Sequence, residues 1–289
     1  MRKSAILLIT IWFTLSACAQ EPVFQTEKFT QTDSKKDYLV TIHTSFGDMK
    51  AILYDETPLH RDNFLDLAQN GHYDSTIWHR VIDEFMIQGG GIDMKKGGLR
   101  KSETIPAEFD KRLFHVKGAL AAARTNNPAK ASSWCQFYIV QGKTYTEDEL
   151  MIDQQKLNQG MRQLLQTGKH QALQEEIMEL QEKRDFDAIN KLIMEKTSLI
   201  ETELGISVRK EIPKERVAAY TSLGGAPHLD DAYTVFGQVV EGHEIIDKIA
   251  AVKTKSGDRP LENLYLSIEV EQLSKKKIAK LYGVIYPKK

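Results

Sequence analysis

The residues best suited to chemistry lie in one stretch, Trp78-His79-Arg80-Val81-Ile82-Asp83-Glu84-Phe85-Met86-Ile87-Gln88-Gly89-Gly90-Gly91. A cation (Arg80), an aromatic ring (Phe85), a thioether (Met86) and an amide (Gln88) fall close together, and three glycines follow. The stretch is long enough for two short strands around a tight Asp83-Glu84 turn. If those strands pair, the four side chains edge one shallow apolar pocket with a single permanent positive charge. Such a pocket suits a neutral amide better than an ion. His79 reads as a hydrogen-bonded wall rather than a general base. Gly89 to Gly91 is not a phosphate loop, because no Lys-Ser/Thr follows and no helix opens there.

The elements that must position these residues are mostly strands. From Tyr38, Val40 and Ile42 alternate with polar residues, Ser45-Phe46-Gly47-Asp48 offers a turn, and Met49, Ala51 and Leu53 alternate on the return, which predicts a hairpin. Thr57-Pro58 supplies an N-cap and a first-turn proline; Phe64, Leu65, Leu67 and Ala68 give an apolar helical face that Gly71 ends. Gly118 to Ala123 is a run of small residues that lets another backbone approach closely. In Gln136-Phe137-Tyr138-Ile139-Val140, period two puts Gln136 and Tyr138 on one face and Phe137 and Ile139 on the other.

After Gly142 the composition changes. Residues 143–218 are rich in Glu, Gln, Lys, Leu and Met, with apolar residues at three- and four-residue steps, and predict two or three amphipathic helices forming a hairpin. Strand patterning resumes at Tyr233 to Val240. A short helix carrying Ile245, Ile246 and Ile249 follows, then a last strand near Leu264 to Val270. A β domain over 37–142 and 219–273 is thus interrupted by a helical insertion, and a basic tail over 274–289 reads as a solvated face.

The 289 residues carry 39 Lys+Arg against 40 Asp+Glu, so nothing points to a nucleic-acid partner. At the N-terminus, Arg2 and Lys3 precede an apolar run from Ala5 to Leu15 that is too short for a permanent span. Leu15-Ser16-Ala17-Cys18 then resembles a bacterial lipobox. This reading makes 1–17 a lipoprotein signal peptide, Cys18 the lipidated residue and 18–36 a tether. It implies an extracytoplasmic, membrane-anchored lipoprotein facing the periplasm, and Ala19, where enteric bacteria place a retention Asp, favours the outer membrane. Stable anchoring needs more than one acyl chain. Of the two cysteines, Cys135 is then left without a disulfide partner, as a buried inert thiol.

Four patterns occur in an order that resembles the cyclophilin-type peptidyl-prolyl isomerases: Asn63-Phe64, the Trp78 to Gly91 stretch, Cys135-Gln136-Phe137-Tyr138-Ile139, and Leu229 through Val235-Phe236-Gly237. The resemblance implies a mainly β fold, an eight-stranded antiparallel barrel capped by two helices, here with the α-helical insertion. It implies cis–trans isomerisation of X-Pro bonds, with no cofactor and no metal. Arg80 matches the catalytic Arg of the family. Gln88 would hold Arg80 or the substrate carbonyl, and Phe85, Met86, Tyr138 and Leu229 would form the slot for the proline ring. His79, Gln136 and Tyr233 would complete the substrate-binding set, with the backbone near Ala123 and Arg124 fixing the peptide. Tyr138, His228, Arg124 and Tyr233 depart from the usual Phe, Trp, Asn and His; His228 argues against tight cyclosporin inhibition. The expected partners are proline-containing polypeptides and, through Cys18, a membrane. A second reading makes the chain a proline-segment chaperone or scaffold acting mainly through the helices of 143–218, which could also bind a protein partner or self-associate.

Overall fold

The computed structural model describes residues 35–92 and 104–286. The segments before, between and after these contain the expected signal peptide, Cys18, most of the tether and the glycines at 97 and 98, which lie outside the described residues. The first two strands, β1 (Lys36–Thr44) and β2 (Gly47–Leu53), form the expected hairpin in a register from Leu39↔Ile52 to Thr44↔Gly47. Val40, Ile42, Met49 and Ala51 are fully buried, as one face of a half-buried pair should be.

Further strands are β3 (Thr76–Ile77), β4 (Arg80–Ile82), β5 (Met86–Gly89), β6 (Thr104–Ile105), β7 (Ala119–Ala122), β8 (Ser132–Ser133), β9 (Phe137–Val140), β10 (Val235–Glu241), β11 (Thr254–Lys255), β12 (Arg259–Pro260) and β13 (Tyr265–Ser274). Nine of them make one strongly curled antiparallel sheet in the order β3-β13-β1-β2-β10-β7-β9-β5-β4. Its two edge strands are neighbours in the chain. Between them, the Trp78 N–H donates to the Leu264 carbonyl (2.9 Å) and the His79 N–H to the Gln88 carbonyl (3.0 Å), which stitches the edges together. The expected eight strands become nine because this one segment is split at Trp78-His79. More residues are helical than extended, so the fold is mixed rather than mainly β.

Inside the curl, Phe64, Phe137, Phe236, Ile87, Ile139 and Leu120 belong to the main core. Helix α1 (Pro58–Gln69) delivers Phe64 and Leu65. The expected Thr57 cap is not made: the Thr57 hydroxyl has no partner. Instead the Glu108 carboxylate accepts from the Leu59 N–H (3.1 Å) and the His60 N–H (3.0 Å), placing a negative charge on the helix N-terminus.

Six helices, not two or three, occupy the insertion: α2 (Glu147–Met151), α3 (Gln154–Gln166), α4 (Gln171–Glu182), α5 (Phe186–Glu195), α6 (Thr197–Leu204) and α7 (Lys214–Ser222). The apolar periodicity runs across breaks that caps and left-handed residues impose. Asp153 caps α3, Asp185 caps α5, and Gly168 and Gly205 adopt positive φ. Leu157, Met161, Leu164, Leu173, Ile177 and Ile200 belong to a separate small core. The insertion leaves and returns at one point: a Cβ on Gly142 would stand 2.3 Å from the Gly225 Cα. With the ends already together, a long insertion adds little closure entropy.

Helix α8 (His243–Ala250) buries Ile245, Ile246 and Ile249, as its spacing predicted. Strand β13 runs on to Ser274, beyond the expected Val270, because β1 pairs with it that far. The basic tail forms helix α9 (Lys275–Tyr282), with Lys276, Lys277 and Lys280 exposed. Ser274 caps it, Ile278 is fully buried, and the Tyr286 hydroxyl donates to Asp37 (2.9 Å).

Candidate active site

Strand alternation divides the side chains of β4, β5, β7 and β9 between two apolar clusters. Val81, Ile87, Leu120, Ala122, Phe137 and Ile139 enter the main core. Met86, Ala119, Ala121, Tyr138 and Val140 enter a second cluster on the other face, with Ala123, Ala226, Leu229 and Val235. Phe85, Ile82 and Tyr233 pack against it, half-exposed. The register then sets a cross-strand row: Arg80 faces Gln88, Gln88 faces Tyr138, and Tyr138 faces Ala121. Arg80 and Tyr138 are two strands apart, so about 10 Å of sheet separates the cation from the ring.

Arg80 is anchored from the β11–β12 turn. Its Nε donates to the Asp258 Oδ2 at 3.3 Å, and the Val81 N–H donates to the Asp258 carbonyl at 2.8 Å. Among the described residues, the two terminal nitrogens of Arg80 have no hydrogen-bond partner. The expected Gln88–Arg80 bond is absent. Gln88 Nε2 donates to Gln136 Oε1 at 3.0 Å, because Gln136 lies just ahead of β9, next to Gln88 on the same face. At His79, burial lowers the pKa, while bonds to the Ile77 backbone and the Gln136 side chain act against that shift. The imidazole is thus held neutral at physiological pH.

The slot residues come together. The Phe85 ring lies 5.1 Å from His228, and Tyr138 meets Tyr233 edge-on at 6.0 Å. Arg124 lays its guanidinium over the Tyr233 ring at 4.4 Å and donates to the Ala232 carbonyl, closing that end. Ala123 is paired within the sheet region. Its N–H donates to the Gln136 carbonyl and its carbonyl accepts from the Ser133 N–H, so the N–H is taken and only the second lone pair of the carbonyl remains for a peptide. The Arg124 backbone has no partner among the described residues and keeps the expected role open. Cys135 is buried and burial raises its thiol pKa, which fits an inert thiol.

Sequence reasoning missed Asp258, and it missed what the extra hydroxyl of Tyr138 does. That hydroxyl bonds His115 Nε2 (2.9 Å), and His115 Nδ1 bonds Asp230 Oδ1 (2.9 Å). Neither pairing has a local signal, since each partner comes from a distant segment. Among the described residues, no cluster of His, Cys, Asp and Glu could hold a metal.

The strongly curled antiparallel sheet forms a half-barrel that carries an anchored cation, Arg80, beside an apolar cluster on its outer face. The family model for cyclophilin-type peptidyl-prolyl cis-trans isomerase/CLD matches residues 39–169 and 164–270, two segments that meet within the insertion. The chain belongs to that family, a family of peptidyl-prolyl isomerases (EC 5.2.1.8). It is 30% identical over 233 residues to an inferred peptidyl-prolyl cis-trans isomerase of Staphylococcus saprophyticus, covering 79% of this chain and 89% of that one. It is 32% identical over 238 residues to an inferred bifunctional phosphatase/peptidyl-prolyl cis-trans isomerase of Streptococcus pyogenes, covering 80% of this chain but only 38% of that protein's length. A solved Cryptosporidium parvum cyclophilin, crystallised in the presence of the dipeptide Ala-Pro, aligns with a TM-score of 0.46 at 18% identity over 81% of this chain and 98% of that one.

Proposed function

We propose that the chain isomerises X-Pro bonds of extracytoplasmic polypeptides, with Arg80 as the catalytic group. The observation that carries this reading is Arg80 itself, held by its Nε on Asp258 with its terminal nitrogens unpaired beside the apolar cluster. The barrier to rotation is amide resonance, roughly 18–20 kcal/mol. In the twisted transition state the proline nitrogen regains a lone pair. A permanent donor aimed at that nitrogen binds the twisted state better than either planar one, which is what lowers the barrier. Phe85, Met86, Tyr138 and Leu229 receive the proline ring. Their low local dielectric strengthens the contact with the cation. Gln88 and Gln136, bonded to each other, present their remaining amide groups to the peptide. No nucleophile and no proton transfer is needed.

The test is the isomerisation rate of a short X-Pro peptide with the full chain in detergent, beside Arg80→Ala. Loss of about 100-fold in kcat/KM with an unchanged circular dichroism spectrum is expected, the size typical of removing one transition-state donor. Equal rates for the two proteins would remove Arg80 from the mechanism.

Residues 15–18 support placement on a membrane through a lipid on Cys18. Among the described residues, no helix is long and apolar enough to cross a membrane. Cys18→Ser is expected to move the protein from the membrane to the soluble fraction, and the wild-type chain should carry the added acyl mass. The chaperone reading gains little from the insertion, whose apolar residues mostly enter its own core; Met178, Phe186, Ile206 and Leu223 are its large exposed apolar side chains.

A further inference from the structure

The last helix of the insertion differs from the other five. Its buried side chains are Arg216 and Tyr220, and both end on the carboxylate of Asp230. The Tyr220 hydroxyl donates to Asp230 Oδ2 at 2.8 Å, and Arg216 Nη1 donates to the same oxygen at 3.2 Å. Arg216 Nη2 donates to the Lys111 carbonyl at 2.7 Å, tying in the loop that carries His115. On the other oxygen, Asp230 Oδ1 accepts from the His115 N–H (3.0 Å) and from Nδ1 (2.9 Å). Burial raises the Asp230 carboxyl, but the bonds from His115 and Tyr220 outweigh it and its pKa ends below the ordinary value. The Asp230 carboxylate can only accept, so His115 Nδ1 carries a proton toward it, and His115 Nε2 and the Tyr138 hydroxyl share a hydrogen bond of 2.9 Å.

This chain of bonds reaches the slot at two points. Asp230 directly follows Leu229, the slot wall, and Tyr138 is the slot floor. The Tyr138 ring also stacks on His115, with centroids 6.1 Å apart and planes 13° apart. Apart from the buried Arg216 Nε, which has no partner, the polar atoms at the joints of this network are paired, and each broken bond would strand a further buried polar group.

We propose that Arg216 and Tyr220 are positioning residues for the proline slot, acting through Asp230 and His115 on Leu229 and Tyr138. The insertion thereby becomes part of the catalytic device rather than a spacer. The inference rests on the isomerase reading of the site. It predicts a particular kinetic signature. The slot binds the proline ring in the planar and the twisted states alike, so loosening it should raise KM and leave kcat, which belongs to Arg80, nearly unchanged.

The experiment compares the full-length wild-type chain with Tyr220→Phe, Tyr138→Phe and the double variant. Line-shape analysis of an X-Pro peptide gives KM, kcat and peptide Kd from the same samples. Tyr220→Phe should raise KM about fivefold, the effect of one hydrogen bond. Tyr138→Phe, which removes the far end of the network, should make the further loss of the Tyr220 hydroxyl add less than the product of the single effects. Unchanged KM and Kd in Tyr220→Phe, with only a lowered melting temperature, would overturn the proposal, as would strictly multiplicative effects. A wild-type chain that binds the peptide without catalysing would overturn the isomerase reading alone, and the Kd ratios would still decide the network. A wild-type chain that neither binds nor catalyses would overturn both.

Discussion

Arg80 was legible because its chemistry is local. Arg80, Phe85, Met86 and Gln88 sit within one hairpin, and the register that aligns Arg80 with Gln88 follows from the tight turn between them. What holds Arg80 was not legible, since Asp258 lies 178 residues away and reaches it only when the sheet has closed. Gln136, 48 residues from Gln88, was likewise hidden as its partner, and of the two roles expected for Gln88 the contact with Arg80 is not made. The Asp258 contact makes a separable prediction. The pair is nearly half exposed on both sides, so it contributes at most about 1 kcal/mol to stability. Its effect should lie in orientation: Asp258→Ala is expected to lower kcat/KM by about fivefold, through kcat, because the guanidinium stays charged but swings. Melting temperature should fall by no more than about 4 °C. A variant with full activity would mean that Arg80 finds its position without help.

Individual elements were legible where a periodicity ends on a local signal and illegible where a distant group ends it. The α8 face and the β1–β2 hairpin followed from spacing. In the insertion, the leucine steps were read through Asp153 and Asp185, whose caps start new helices, so six helices were merged into two or three. Helix α1 shows the other failure: its cap comes from Glu108, 48 residues from His60. Glu108, His60 and Ser132 form a hydrogen-bonded line, with Nδ1 to Oε2 at 2.7 Å and Nε2 to Oγ at 2.9 Å. The order is that of an acid, a base and a nucleophile, but Ser132 is 1% exposed and admits no substrate. Its work is structural. Glu108→Ala leaves two backbone N–H groups and a buried imidazole without their acceptor, and should cost about 2–3 kcal/mol in denaturant unfolding. The X-Pro isomerisation rate at temperatures well below melting should be unchanged. A loss below about 0.5 kcal/mol would mean that water replaces the carboxylate at no cost.

At the scale of the whole molecule, the interruption of the β domain was visible in composition, whereas the way the pieces join was not. The join depends on Gly142 meeting Gly225 and on α7 reaching Asp230, contacts with no periodic signature. Closure also buries imidazoles, and this sets how the fold responds to acid. His79, His228 and His243 all have lowered pKa values, burial being the largest cause in each. The unfolded chain therefore takes up protons on these rings before the folded chain does, and stability must fall as pH drops from about 7 to about 5.5. Asp37 and Asp62 act in the opposite sense. Burial raises them, so the folded chain binds their protons first, and further acidification toward the carboxylate range returns part of the loss. The melting temperature should accordingly be lower at pH 5.5 than at pH 7. His243→Gln should shrink the difference without touching catalysis, because that ring lies at the start of α8, beside Lys117 and Asp247, and is not one of the slot residues. A melting temperature that is flat across this interval would mean that the three rings open to solvent more easily than their burial allows. A drop that His243→Gln leaves intact would assign the loss to His79 and His228, beside the slot itself.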